Sequence, residues 1–222
     1  LHLSIRRQRQ MCIRDRPNYV SCFVEFAENE IPVTSVRSQL SDLVDADKDK
    51  NRLNYAAESY KNAWGTEFSL ERDVNHIYGE ENIFRYLPLK SIGLRVQEND
   101  DLCDILLILL AVTIAKTPVT VSISGSDSKL QAVEKAALTL LGIVIKMQDE
   151  DRFVEEMDNY ERIRICSPAA SDAIYLKAAK LGKHIANNKP LAEGRLEMLH
   201  YLKEQSIAYE YHRYGSIFGD DK

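Results

Sequence analysis

The sequence predicts an α/β fold: a Rossmann-like, doubly wound, mostly parallel sheet preceded by a helical connector. Three observations carry that prediction. From residue 82 onward, short strand-like runs alternate with helical stretches of about 10 to 15 residues, the pattern of βαβ units. The helix expected after Asn99 or Asp100 is apolar almost all round, so it is buried on more than one side. Right-handed crossovers between such strands then produce an open sheet wound on both faces.

The chain can be justified element by element. Residues 17–29, PNYVSCFVEFAEN, read as a helix: Pro17 suits the first helical position, and Tyr19, Phe23 and Phe26 follow at spacings of four and three. Pro32 breaks that pattern. A second helical stretch is expected from Val36 to Val44, running into the charge-rich DADKDKNR at 45–52, a solvated turn or helix face. Leu53, Ala57, Tyr60 and Trp64 form an apolar stripe at helical spacing, with Gly65 where a C-cap belongs. The front third is helical and acidic, and apolar surface is expected around Phe23, Phe26 and Trp64.

Beyond it, SIGLRV (91–96) is the first strand, with Asn99 or Asp100 capping the helix that follows. PVTVSIS (118–124) is the second strand, and GSDSK turns into a helix from Lys129 to Leu141. IVIKM (143–147) precedes a helix from Asp151 to Asn159. RIRICS (162–167) leads through Pro168 into a helix ending near Gly182, and HIANN (184–188) is a fifth strand.

Composition bounds what the chain can bind. At 222 residues it can form one sizeable domain with an appendage, or two small ones. The net charge is −5, yet residues 1–16 hold five of the 29 basic residues and only one of the 34 acids. The remainder, with 24 bases against 33 acids, repels phosphate backbones, so no nucleic-acid partner is expected. Cys12, Cys22, Cys103 and Cys166 are scattered without metal-ligand spacing, so no metal site is expected. The longest apolar run, Leu102 to Ala115, is too short for a transmembrane segment, and no secretory signal is apparent, so the expected location is cytoplasmic.

Chemistry is sparse. A dinucleotide site needs glycines in the first strand-to-helix turn, and here that turn is VQENDD (96–101), with three acids and no glycine. The second turn, SGSDSK (124–129), has serines that could meet an anion, but Ser126, Asp127 and Ser128 are also ordinary turn and cap residues. Cys166, at a strand end, is either a nucleophile or a small buried hydrophobe. Gln148 to Asp151 could offer acids to a metal, or cap a helix. A phospho-acceptor receiver would use Asp100, Asp101 and Asp149. No catalytic, cofactor-binding or metal residue is assigned.

Three stretches share one resemblance. GEENIFRYLPLKSIGLRV (79–96) resembles the start of the C-terminal domain of proline utilization A enzymes, with its GERN…LLPR motif. PNYVSCF (17–23) is similar to the segment after the Gly-Gly that closes their aldehyde dehydrogenase core, and LKEQSIAYEYHRYGSIF (202–218) to their terminal strand. The resemblance implies that residues 17–81 are the core's end plus a helical connector, and that 82–222 are a Rossmann-like domain with a terminal strand. It further implies a parent enzyme converting proline to glutamate through pyrroline-5-carboxylate, with FAD and NAD bound upstream of Pro17 and none in this chain. The implied role is non-catalytic: supporting the upstream aldehyde dehydrogenase domain of the same polypeptide and covering a substrate-channelling tunnel, in a possible homo-oligomer. Tyr209 to Gly215 lacks the Ala-Gly-Gly-Asn run of some relatives.

The terminal strand alternates, with Tyr209 and Tyr211 on one face and Glu210 and His212 on the other. Tyr209, Tyr211, His212, Arg213 and Tyr214 are candidate interdomain residues, since an aromatic end strand can add to another domain's edge. The alternative is that it closes its own sheet. LHLSIRRQRQMCIRDR (1–16) resembles a translated sequencing adapter and is expected to contribute nothing to the fold.

Overall fold

The computed structural model describes residues 12–16 (as backbone), 30–77, 79–124, 128–166 and 170–210. The helix expected at 17–29 lies outside these residues, as do 125–127 of the SGSDSK turn and Tyr211, His212, Arg213 and Tyr214.

Among them, chain order runs β1 (Cys12–Arg16), α1 (Asp47–Ala63), β2 (Arg72–Asp73), β3 (Glu80–Pro88), β4 (Ile92–Arg95), α2 (Leu102–Ile114), β5 (Val119–Ile123), α3 (Ser128–Thr139), β6 (Ile143–Met147), α4 (Glu150–Glu156), β7 (Arg162–Ile165), α5 (Asp172–Leu181), β8 (Ile185–Ala186), α6 (Gly194–Glu197) and β9 (Leu202–Glu210). Five strands form a parallel sheet in the order β6-β5-β4-β7-β8. The chain thus steps outward twice from β4, then crosses to its other side, so the order reverses between β4 and β7. This is the doubly wound arrangement expected, in the 3-2-1-4-5 order of Rossmann sheets.

The two faces are covered separately. Ile92, Leu94, Val119, Val121 and Ile123 point into the larger core with α1, α2 and α3. Helix α2 buries ten of its residues there, which explains its apolar circumference. Each large side chain so enclosed contributes about 1.5–3 kcal/mol. The other face meets α4 and α5 through Phe153, Met157, Tyr160, Ile163, Ile174 and Ala178. Gly182 ends α5 at φ 62°, a left-handed conformation that glycine adopts without a Cβ clash.

Several expectations shift. The stretch 36–44 forms only a 3₁₀ turn at Ser41–Leu43, while DADKDKNR supplies the first turns of α1 from Asp47. Helix α1 continues past Gly65 as a π turn over Trp64–Phe68, so Gly65 is no cap. The stripe Leu53, Ala57 and Tyr60 is fully covered by the chain's own layer, and Trp64 is half-buried against the same core under Lys116 Nζ, 5.4 Å from its ring centre. Helix α2 is capped by Asp101, whose Oδ1 accepts from Cys103 N at 3.0 Å, one residue beyond the expected position.

A second sheet, in the order β1-β9-β3-β2, is antiparallel. The described part of the terminal strand thus belongs to a sheet of its own chain, the antiparallel one: β9 pairs along all of β3, from Glu80↔Glu210 to Pro88↔Leu202. Its outer edge pairs with Cys12–Arg16. This corrects the expectation that residues 1–16 contribute nothing to the fold: strand addition uses main-chain bonds and makes little demand on sequence.

Candidate functional site

In open α/β sheets ligands sit beyond the carboxyl ends of the strands, where the strand order reverses. Here that crevice lies past Arg95 of β4 and Ile165 of β7, which are register partners. The chain fills it with its own side chains. Val96, Asp100 and Cys166 are all buried. Asp100 Oδ2 accepts the Gln97 amide at 2.8 Å, closing the turn on itself, and the Asp100 carboxyl also meets the Cys166 thiol. Burial holds Asp100 above the usual carboxylate range.

The start of α2, where a pyrophosphate would sit, is equally occupied. Asp101 caps it, and Asp104 in its first turn is buried against Arg52 of α1, with Nη1 to Oδ1 at 2.5 Å. Arg52 Nη2 also donates to the Pro190 carbonyl at 2.6 Å, tying α1, α2 and the 188–194 segment together. Burial raises the Asp104 pKa more than Arg52 lowers it. A phosphate here would meet Glu98, Asp100 and Asp101 in place of glycine amides.

The other sequence candidates separate. Cys166 is 4% exposed, and burial followed by the Asp100 charge pushes its thiol well above the ordinary range, opposite to what a nucleophile needs. Cys103 is buried too, and burial pushes it up to about 12. Asp149 caps α4 by accepting from Arg152 N at 2.9 Å, far along the sheet from Asp100. A receiver would require these acids together and strand order 2-1-3-4-5, so neither condition holds. No group of metal-binding side chains occurs among the described residues. Tyr209 lies on β9 opposite Glu81 and is 39% exposed.

A cavity of about 570 Å³ opens beside the amino ends of α1 and α2. Lys48, Arg52 and Lys189 line it against Glu30, Asp49 and Asp101, a balance that selects no ligand charge.

Sequence reasoning missed the buried ion network behind the crevice. Arg164, in the middle of β7, donates to Glu197 at 3.1 Å and Tyr201 Oη at 3.2 Å, and to the carbonyls of Ile165, Ala186 and Asn188. Glu197 also accepts from the Tyr201 hydroxyl and from Leu191 N at 2.9 Å. The only sequence signal was arginine alternating with isoleucine in RIRIC, a pattern that reads equally as a solvated face.

The class this architecture defines is the Rossmann-like α/β layer, and its fold is similar to that of a lactaldehyde dehydrogenase. A lactaldehyde dehydrogenase matches with TM-score 0.50 and 10% identity, over 68% of this chain and 35% of that one. Proline utilization A from Corynebacterium freiburgense matches with TM-score 0.49 and 25% identity, over 87% of this chain and 16% of that one. An aldehyde dehydrogenase from Bacillus cereus, solved as its NAD⁺ complex, matches with TM-score 0.47 and 13% identity, over 66% and 35%. The chain thus spans about a third of the dehydrogenases and a sixth of the proline utilization A enzyme. No family model and no curated protein matches it. No described helix is long and apolar enough to cross a membrane.

Proposed function

We propose that this chain is the carboxy-terminal part of a proline utilization A-type enzyme and has no turnover of its own. In that reading it supports the aldehyde dehydrogenase domain that precedes it in the polypeptide and covers the tunnel carrying the semialdehyde intermediate. The observation that carries the proposal is the self-closed turn at 96–101: an aldehyde dehydrogenase-like layer in which Asp100, Asp101 and Cys166 occupy the dinucleotide crevice. A layer that has kept the sheet but lost the phosphate cradle is suited to packing against a neighbour. The motif at 79–96 supports the assignment, since it becomes β3 and β4, the junction of the two sheets. In the parent, FAD and NAD serve the upstream domains, and the part-exposed Tyr209 serves the contact with the neighbour. Residues 1–16 have no part in this role.

Two measurements test it. NADH formation from glutamate γ-semialdehyde by the isolated chain should be absent. The reading frame upstream of Pro17 in the source DNA should encode an aldehyde dehydrogenase ending in Gly-Gly. Turnover by the chain, or an unrelated upstream frame, would overturn the proposal.

A further inference from the structure

Four arginines are buried among the described residues, and three of them are answered by the protein. Arg52 pairs with Asp104, Arg164 pairs with Glu197, and Arg162 donates to the main-chain carbonyls of Leu199, His200 and Leu202. Arg95 is different. It is only 5% exposed, yet it forms no ion pair with any described residue. Its Nη1 is anchored, donating to Ser122 Oγ at 2.8 Å and the Gln148 carbonyl at 2.9 Å. Its Nε is buried without an acceptor, and Nη2 makes no hydrogen bond to a described residue and is not enclosed. The edge left unanswered is therefore the Nε/Nη2 fork, the edge that grips a carboxylate or phosphate with two parallel bonds.

We propose that Arg95 anchors a small-oxyanion site, taking the carboxylate or phosphate group of a small molecule, at the carboxyl edge of the parallel sheet on its α4/α5 face. The face follows from the neighbours. Gly93, two residues earlier on the same side of β4, lies against the Tyr160 ring of the α4/α5 core, whereas Leu94 points into the α2/α3 core. The guanidinium reaches from β4 across β5 toward the end of β6, where Ser122 and the Gln148 carbonyl hold it.

A buried guanidinium nitrogen left without an acceptor is costly, and ligands bind where that cost is relieved. Burial pulls Arg95 below the usual arginine range, while the charges of Glu150 and Asp149 oppose that shift from beyond ion-pair distance. Those two acids disfavour polyphosphates and restrict the site to a small anion. The site shares the carboxyl edge of β4 with the crevice but lies on the α4/α5 face, opposite α2, and it does not depend on the parent-enzyme reading.

The test uses the full chain, labelled with nitrogen-15. The Arg95 Nε–Hε resonance, assigned through bonds, is followed during titration with inorganic phosphate and, separately, succinate, against chloride at equal ionic strength. The expected result is a saturable shift at millimolar concentration with at least one probe, and the probe acting at lower concentration assigns the phosphate or carboxylate. Melting should rise with the same probe in wild type and not in Arg95→Met. A resonance unmoved by both probes, or a melting shift equal in Arg95→Met, overturns the proposal. Should Arg95→Met fail to fold, the wild-type resonance alone decides.

Discussion

Arg164 and Glu197 have side chains 1% and 0% exposed, and each is bonded on nearly every available atom. Burial alone would raise the Glu197 pKa, and the Arg164 charge overcomes it and holds the carboxyl low. Removing one partner strands the other in the core. Glu197→Ala should therefore cost about 3–5 kcal/mol in urea unfolding, with Glu197→Gln milder because it keeps an acceptor. A loss under 1 kcal/mol in Glu197→Ala would contradict the pairing. Beside this pair, burial pushes His200 down to about 4 from an ordinary 6.5. The unfolded chain then binds the extra proton across that window, so stability is full above pH 6.5 and falls as pH drops toward 4. The loss is on the order of 3 kcal/mol, and His200→Gln should flatten it in melts between pH 7 and 4.5. None of this was legible in sequence, because Arg164 and Glu197 lie 33 residues apart and only the fold brings them together.

At the scale of elements, the parallel strands and helices α2 to α5 were legible because each carries a local signal, β-branched runs or caps. What was missed had no local signal. Strand β3 is half-buried along both faces, so Ile83, Phe84, Tyr86 and Leu87 show no clean alternation. The pairing of β9 with β3 joins residues more than a hundred apart, and periodicity does not reveal such contacts. The π turn at Trp64–Phe68 overrides the expected glycine cap because Phe68 is drawn into the core, edge-on to Tyr86 at 4.8 Å. Close packing elsewhere does have a sequence correlate. A Cβ at Gly93 would stand 2.4 Å from Tyr160 Cδ2, in a ring stacked on Phe153. Gly93→Val should cost about 1–3 kcal/mol, partly recovered by adding Tyr160→Ala, as read by thermal melting of the single and double variants. A Gly93→Val chain melting like wild type would show that Tyr160 is not packed there.

At the scale of the whole molecule, two sheets share one apolar core: α1, the α2/α3 layer and the start of β9 all contribute to it. The acidic connector and the Rossmann-like layer are thus bound together by burial. The fold class was readable from alternation alone. The character of the crevice was only half readable: the missing glycines were visible at 96–101, whereas the acids' real occupations, Asp100 on Gln97 and Cys166 and Asp101 on Cys103, required coordinates. Arg95 was invisible for a related reason, since an arginine in a strand reads as exposed until both faces are seen covered. The most direct measurement is titration calorimetry of the intact chain with NAD⁺ at concentrations up to several millimolar. A crevice filled by Val96, Asp100 and Cys166 should give no saturable heat. One-to-one binding, with the cofactor seated over residues 96–101 in a crystal of the complex, would contradict the closed crevice on which the functional reading rests.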